Sequence, residues 1–537
     1  MSSQTTRLAE VSVQDCEPLT RIVARRAAET PDTPFVVEVD GATLGYGDID
    51  ALSLAWARGL ASLGVRAGDV VCSMRSTTAS GIAAWLGAAR LGAIDAGIAV
   101  TYRGTLLLDL LVKGRVLLID RAQLSVLDGI RDELAHLVAV VITGAPGDAP
   151  CDLVPGATVV TEAELLASVT AELDEHLIDP EPWDIGCLTH TSGTTGPSKS
   201  VLLPWGHLHS FATALFDPDE LGTDEVFYSP MPMNHVAQRV HTYLMAVVGG
   251  QVVVRNGFSP DAYWDDIRAH GATLTNVSVG PKILWDRPPR DDDADNTLTR
   301  VLMSPLLPNF REFGERFGVE VRTMFGSSEV GLPIISGTQA PPYHRTSGRR
   351  NARFPHLEIR LVDEHDIPVA VGTPGELVVR SPNPWTLNAG YLGQADVTAQ
   401  AWRNGWFHTG DLLVEDEDGW FSFVDRAKDS IRRRGENIST FEVEVAAVRH
   451  PTVAECAVIG VESAEWGEQE VLAVVVPADD FDPARLVADM RQELPSFMVP
   501  RFVRVVDALP KTEATLRVQK STLREQGITA STWDSRA

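Results

Sequence analysis

Apolar and polar positions along this chain fall into blocks whose period changes. Leu52 to Leu63 places apolar residues at helical spacing and stops before Gly64, which predicts an amphipathic helix. Val70 to Met74 reads as a short buried strand. Ala79 to Leu91 returns to helical character and Ala93 to Val100 to strand character. A second set of the same kind runs from about Val226 to Gly326. Strand alternating with helix predicts parallel sheets covered by helices on both faces, an α/β class. From about 355 to 425 the pattern alternates every second residue, as in Leu357–Val362 and Glu376–Arg380, and predicts antiparallel strands between Gly and Pro turns. After Asp425 come a glycine loop, a helix around Glu442–Arg449 and strands at Ala457–Val461 and Val471–Val476, a small α and β module.

Length and composition narrow the class. A chain of 537 residues is too long for one ordinary core. Its 44% hydrophobic and 22% charged residues are those of a soluble globular protein. The net charge of −27 repels a phosphate backbone, so no nucleic-acid partner is expected. The five cysteines form no CxxC pair, which argues against a zinc site and a disulfide framework and fits a reducing, cytoplasmic setting. The beginning MSSQTTRLAE lacks the apolar core of a signal peptide. The most apolar stretch, Val240–Val254, is interrupted by His241, Gly249, Gly250 and Gln251, so no membrane span is expected.

The densest chemistry lies at Leu188–Val201, LTHTSGTTGPSKSV. Thr191, Ser192, Thr194, Thr195 and Ser198 offer hydroxyls, Gly193 and Gly196 let backbone N–H groups approach an anion, and Lys199 adds a positive charge. This is not a Walker A loop, because Ser198 rather than glycine precedes the lysine. The competing reading is a surface linker of small polar residues. Further motifs decide between them: Phe325-Gly326-Ser327-Ser328-Glu329, then Gly405-Trp406-Phe407-His408-Thr409-Gly410-Asp411-Leu412, then Asp425-Arg426-Ala427-Lys428-Asp429 with Arg434-Gly435-Glu436 after it.

Together, in this order, these motifs resemble the adenylate-forming superfamily of acyl-CoA synthetases, aryl-CoA ligases, adenylation domains and luciferases. Its phosphate loop is close to TSGTTGxPKG, and this chain departs by placing Ser200 where glycine is usual. The resemblance implies that Thr191–Gly196 and Lys199 hold ATP phosphates, that Phe325 and Gly326 flank the adenine, and that Ser327 is among the ATP-binding residues. It further implies that Ser328 bonds the α-phosphate, that Glu329 helps hold Mg2+, and that Asp411 and Arg426 fix the ribose. It implies a large N-terminal domain, residues 1–427, of two αβαβα subdomains with a small β-barrel. A small mobile α+β domain, residues 428–537, would turn about a hinge at Lys428. A homodimer stays open.

Near the C-terminus the family carries PKTxxGK, whose last lysine approaches the reacting groups. Here Pro510–Lys520 reads PKTEATLRVQK, so alignment from the VQK end puts Arg517 in the lysine position and Leu516 in the glycine position. An arginine fork is not a compact ammonium, and Lys511 and Lys520 remain alternative catalytic cations. The acceptor pocket is expected beside Pro230–His235, where relatives carry PLxH, with His235, Arg239 one turn on, and Lys282 on a second wall. An inward cation there would call for a polar or anionic acid.

The stretch Leu509–Trp533 resembles the carnitine/crotonobetaine-CoA ligase-like subfamily, which includes ATP-dependent diazotases. The first expectation is therefore an ATP-dependent, AMP-forming ligase for a small polar or aromatic acid, with CoA as co-substrate. The second is a diazotase that activates nitrite and converts an aminobenzoate held by Arg239 or Lys282. The third is a non-catalytic nucleotide-binding relative.

Overall fold

The computed structural model describes residues 13–536 except 151–152, 169–170, 192–198, 279, 355–356, 427–428, 430, 434–435, 439, 463–468, 495 and 513–515. The described residues divide into two compact units. One lies within Met1–Ser192, Pro197–Glu358 and Val379–Phe407, and the other within Ile359–Val378 and His408–Ala537.

The first unit contains two seven-stranded sheets. In one, the strands run in the order Thr158–Thr161, Ala139–Thr143, Val116–Asp120, Val70–Met74, Ile94–Gly97, Ile185–Thr191 and Lys199–Pro204. All neighbours are parallel except the last pair, which is antiparallel. The short, mostly apolar strands at Val70–Met74 and Ala139–Thr143 are buried along their whole length, Ser73 and Thr143 included, as a sheet covered on both faces requires. The helix Tyr46–Ser62 packs against Ala79–Ala89, and the contact is close because Gly87 has no side chain. A Cβ there would meet the Ala57 backbone nitrogen at 2.9 Å.

The second sheet runs Glu320–Arg322, Arg300–Leu302, Leu274–Asn276, Val226–Ser229, Gln251–Val254, Pro34–Glu38 and Thr43–Gly45. Helix Val236–Val248 precedes its strand Gln251–Val254, and Gly249 closes that helix in the left-handed conformation at φ 83°. That break divides the most apolar stretch of the chain between two elements. The two α/β layers expected from the alternating pattern are thus both present.

Phe407–Glu415 and Trp420–Arg426, which apart from Phe407 belong to the second unit, pair antiparallel. Gly375–Arg380 and then Glu358–Val362 continue that ladder. Among the described residues these strands form an open ladder, with Glu358–Val362 at its edge, rather than the small closed barrel expected. A further sheet pairs Val453–Glu462 with Gln469–Pro477 antiparallel and adds Phe502–Val505 in parallel. The helices Thr440–Val448 and Pro483–Glu493 cover it with Val443, Leu486 and Val487. Among the described residues no helix is long and apolar enough to cross a membrane.

Candidate active site

The phosphate-loop motif is carried on a hairpin. Ile185–Thr191 and Lys199–Pro204 pair antiparallel, with Thr191 opposite Lys199 and His190 opposite Ser200. The expected ligands Ser192, Gly193, Thr194, Thr195 and Gly196 lie outside the described residues, as does the hinge residue Lys428. What is defined is the stem. Segment 388–392 runs beside Lys199–Pro204, with Leu392 N–H donating to Ser200 O at 2.9 Å and Ala389 N–H to Leu202 O at 2.9 Å.

That pairing brings Tyr391 under the lysine. Lys199 Nζ lies 4.9 Å from the Tyr391 ring centroid, within cation–π range. The Tyr391 hydroxyl donates to Glu329 Oε1 at 3.3 Å. Burial, and after it the Glu329 charge, push the phenol pKa up, so it stays a donor. Asn388 Nδ2 donates to Glu329 O at 2.8 Å, and Trp402 Nε1 in turn donates to Asn388 Oδ1 at 3.3 Å. Glu329 N–H donates to Ser327 Oγ at 3.3 Å. The carbonyl of Ser328 lies 2.8 Å from His207 Nε2. Glu329 is thus fixed through its backbone while its carboxylate keeps open lone pairs. The structure joins Lys199 and Glu329 through one aromatic side chain that the motifs did not single out. Its signal was Gly390-Tyr391-Leu392, a tyrosine after a glycine at φ 96°.

Phe325 and Gly326 sit on Met324–Ser327, which pairs antiparallel with Gly331–Ile335. Gly326 is required because a Cβ would meet the Gly331 carbonyl oxygen at 2.1 Å. The close backbone approach expected for a flat ligand is therefore at least also an approach to the hairpin's own second strand.

In the second unit, Asp411 and Arg426 are direct cross-strand partners. Asp411 is buried, and its N–H donates to Thr409 Oγ1 at 3.1 Å. Beyond the ladder, Asp425 Oδ2 accepts from Thr440 N at 2.6 Å and Thr440 Oγ1 at 2.8 Å, capping the helix Thr440–Val448.

The C-terminal cations are sorted by their partners. Lys511 forms an ion pair with Glu455, and its backbone bridges Val518. Lys520 lies 2.8 Å from Glu444 Oε1 and donates to Thr440 Oγ1 at 2.5 Å. Burial pushes the Glu444 carboxyl pKa up, and Lys520 opposes that shift. Arg517 is exposed, and its carbonyl oxygen accepts from Thr512 N–H at 2.8 Å. Leu516 has φ 51°. That left-handed conformation is the one glycine supplies without cost, so the residue in the family's glycine position adopts a glycine-like backbone.

The structure pairs two of the expected pocket residues with the protein's own carboxylates. Arg239 is fully buried, its guanidinium bonds Asp95 Oδ2, and it lies 4.8 Å from the Trp85 ring centroid. The protein itself supplies the anion that a substrate was expected to bring. Lys282 is exposed and pairs with Asp286 one turn along, because in the short helix Pro281–Trp285 only Leu284 is buried. His235 caps Val236–Val248, its Nδ1 accepting from Ala237 N at 3.1 Å.

Residues 23–392 match the AMP-binding enzyme family and residues 442–515 its C-terminal domain. A sulfoacetate–CoA ligase of Cupriavidus necator is 31% identical over 517 residues, covering 92% of this chain and 95% of the relative. A crotonobetaine/carnitine–CoA ligase of Salmonella heidelberg is 28% identical over 465 residues, covering 84% and 87%. Among solved structures, the anthranilate CoA ligase AuaEII in complex with anthranoyl-AMP superposes with a TM-score of 0.80 at 20% identity, covering 95% of this chain and 97% of that one. The chain belongs to the AMP-binding enzyme family. It is an AMP-forming ligase of the adenylate-forming superfamily.

Proposed function

We propose that this ligase activates a small polar or aromatic carboxylic acid with ATP and passes the acyl group to CoA. The carboxylate oxygen attacks the α-phosphorus, pyrophosphate leaves, and the CoA sulfur then displaces AMP from the acyl carbon. The observation that carries this reading is the Lys199–Tyr391–Glu329 arrangement at the foot of the hydroxyl and glycine loop. A cation and a carboxylate held apart there suit a polyphosphate and its metal respectively.

Glu329 fits Mg2+, which takes one or two carboxylates and completes its shell with phosphate oxygens and water. Among the described residues no group of three or more His, Cys, Asp or Glu forms a dedicated metal cage, in keeping with an ion carried largely by the nucleotide. When bound, the ion would neutralise charge on the leaving pyrophosphate. Thr191–Gly196 would cradle phosphates, Ser328 the α-phosphate, Phe325 and Gly326 the adenine, with Ser327 beside them, and Asp411 with Arg426 the ribose. Residues 1–427 and 428–537 act as separate domains about Lys428 in this reading, and Arg517 supplies the adenylating cation.

The names of the curated relatives, sulfoacetate and crotonobetaine or carnitine ligases, support a small polar acid and CoA. The nitrite reading rests on the subfamily resemblance of Leu509–Trp533, and the residues offered to hold its aminobenzoate, Arg239 or Lys282, pair with the protein's own carboxylates. The test is pyrophosphate release from ATP and Mg2+ across a panel of small polar, aromatic and long-chain acids, with CoA thioester formation measured in parallel. Nitrite plus aminobenzoates forms a separate arm. Acid-dependent release followed by thioester formation is expected. Release with nitrite and an aminobenzoate alone would overturn the carboxylic-acid reading.

A further inference from the structure

The stem of the phosphate hairpin carries a polar cluster that the proposed chemistry does not use. Ser200, one residue past Lys199, is fully buried. Lys113, two residues beyond the helix Gly104–Leu111, donates from Nζ to Ser200 Oγ at 2.9 Å. His190 Nδ1, directly across the strand pair, lies 3.1 Å from the same oxygen.

The proton arrangement follows from the groups. An ammonium has only donors, so Ser200 Oγ accepts from Lys113 and sends its own hydrogen to His190 Nδ1. Burial pushes the imidazole pKa down to about 3, so it is neutral and able to accept there. Its remaining hydrogen is then on Nε2, which is buried with no partner among the described residues. A glycine at 200, the residue usual in the family, would have no oxygen to join Lys113 to His190.

We propose that Ser200 is a positioning residue for ATP: with Lys113 and His190 it latches the two strands of the hairpin and fixes the mouth of the phosphate loop. The latch lies one residue pair below Thr191 and Lys199, the ends from which the loop springs. Holding both ends in one register preorganises the loop, and preorganisation raises affinity by removing an ordering cost at binding. Without the hydroxyl, the Lys113 ammonium and the imidazole lose their common partner, and the hairpin loses its polar tie next to the loop, leaving the backbone ladder and the apolar packing of Leu188 and Leu202 further down.

This inference rests on the loop Thr191–Lys199 binding ATP phosphates, and the experiment separates the two. ATP affinity, KM for ATP and kcat are measured for the wild type, Ser200→Ala, Lys113→Met, Lys113→Arg and the double variant Ser200→Ala/Lys113→Met, with thermal unfolding of each in the absence of nucleotide. Each single loss should weaken ATP binding and raise its KM by roughly fivefold, with kcat changed less than twofold. The double variant should match the singles, because both remove one shared latch, whereas independent effects would multiply. Lys113→Arg should recover most of the affinity by donating to the same hydroxyl. Unchanged ATP affinity in folded Ser200→Ala and Lys113→Met proteins overturns the latch. So does a loss that follows thermal stability alone, or multiplies in the double variant. A wild type with no measurable ATP affinity overturns the phosphate-loop reading itself.

Discussion

Tyr391 separates Lys199 from Glu329 by lying beneath the ammonium and donating its hydroxyl to the carboxylate. A direct Lys–Glu pair would satisfy both charges and leave less for a phosphate and a metal ion. The tyrosine contacts both without neutralising either.

Tyr391 therefore has two separable parts. Tyr391→Phe keeps the ring under Lys199 and removes the hydrogen bond to Glu329. It should raise the Mg2+ concentration needed for half-maximal activity several-fold while ATP affinity at saturating Mg2+ stays near that of the wild type. Tyr391→Leu removes the ring as well and should also weaken ATP binding, by an amount in keeping with the ~0.5–2 kcal/mol of a cation–π contact. Mg2+ and ATP titrations of pyrophosphate release check both. Identical behaviour of the two variants would show that the two contacts do not act separately.

Arg239 is an internal ion-pair partner, so its replacement should damage folding rather than select among substrates. Arg239→Leu leaves Asp95 buried without its cation, a loss of about 3–5 kcal/mol. Urea unfolding should show that loss. Arg239→Leu combined with Asp95→Leu should recover part of it, since replacing a whole buried pair by apolar groups is far milder than breaking it. A stable Arg239→Leu protein with an altered acid preference would restore the pocket role.

Much of the first unit was legible in the sequence. Val70–Met74 is the strand its apolar run predicts, because a buried parallel strand needs no alternation to mark it. Helix Ala79–Ala89 and strand Ile94–Gly97 fall within the ranges their patterns give. Arg239 and Lys282 were not legible. Helical spacing places Arg239 on a face, but Asp95 is 144 residues away in sequence and no local pattern announces their pairing. Lys282 was displaced by a local fact, the brevity of its helix. Tyr391 was missed because its partners come from two distant motifs, which meet only when segment 388–392 lies along the hairpin. The open strand ladder of the second unit was hidden for a related reason: alternation marks a strand's faces and says nothing of whether a sheet closes.

His241 gives the fold an acid limit. It is fully buried and stacked on Phe227 with ring centroids 4.2 Å apart. Burial, with the neighbouring His235 adding to it, lowers its pKa from 6.5 to about 3. A histidine whose folded pKa is depressed binds its proton more readily in the unfolded chain. Stability is therefore lost as pH falls below about 6.5, at about 1.4 kcal/mol per pH unit from this residue, down to the folded pKa. Urea unfolding at pH 7.5, 6 and 5 should show the decline, and His241→Gln should make it shallower by this residue's share, while the buried His190 and His209 keep theirs. Equal slopes in the two proteins would assign the acid sensitivity elsewhere.

Arg517 and Lys520 should fail in different ways. Lys520 is bound to half-buried Glu444 and to Thr440, so Lys520→Met leaves that carboxylate without its cation and should lower the unfolding temperature. Arg517 is exposed, so Arg517→Ala should leave that temperature nearly unchanged. Its effect should appear in chemistry: a cation opposite developing negative charge is typically worth about 2.7–4 kcal/mol, so pyrophosphate release should slow roughly a hundredfold or more. A preformed acyl adenylate should still react with CoA at the wild-type rate, because the lost interaction belongs to the first step. Leu516→Gly provides the internal control. It relaxes a left-handed conformation that costs a non-glycine residue roughly 1–2 kcal/mol and leaves the cation in place, so adenylation should survive in a protein at least as stable. If Arg517→Ala adenylates normally while Lys520→Met, still folded, does not, the catalytic cation is the lysine, and its pairing with Glu444 must open during turnover.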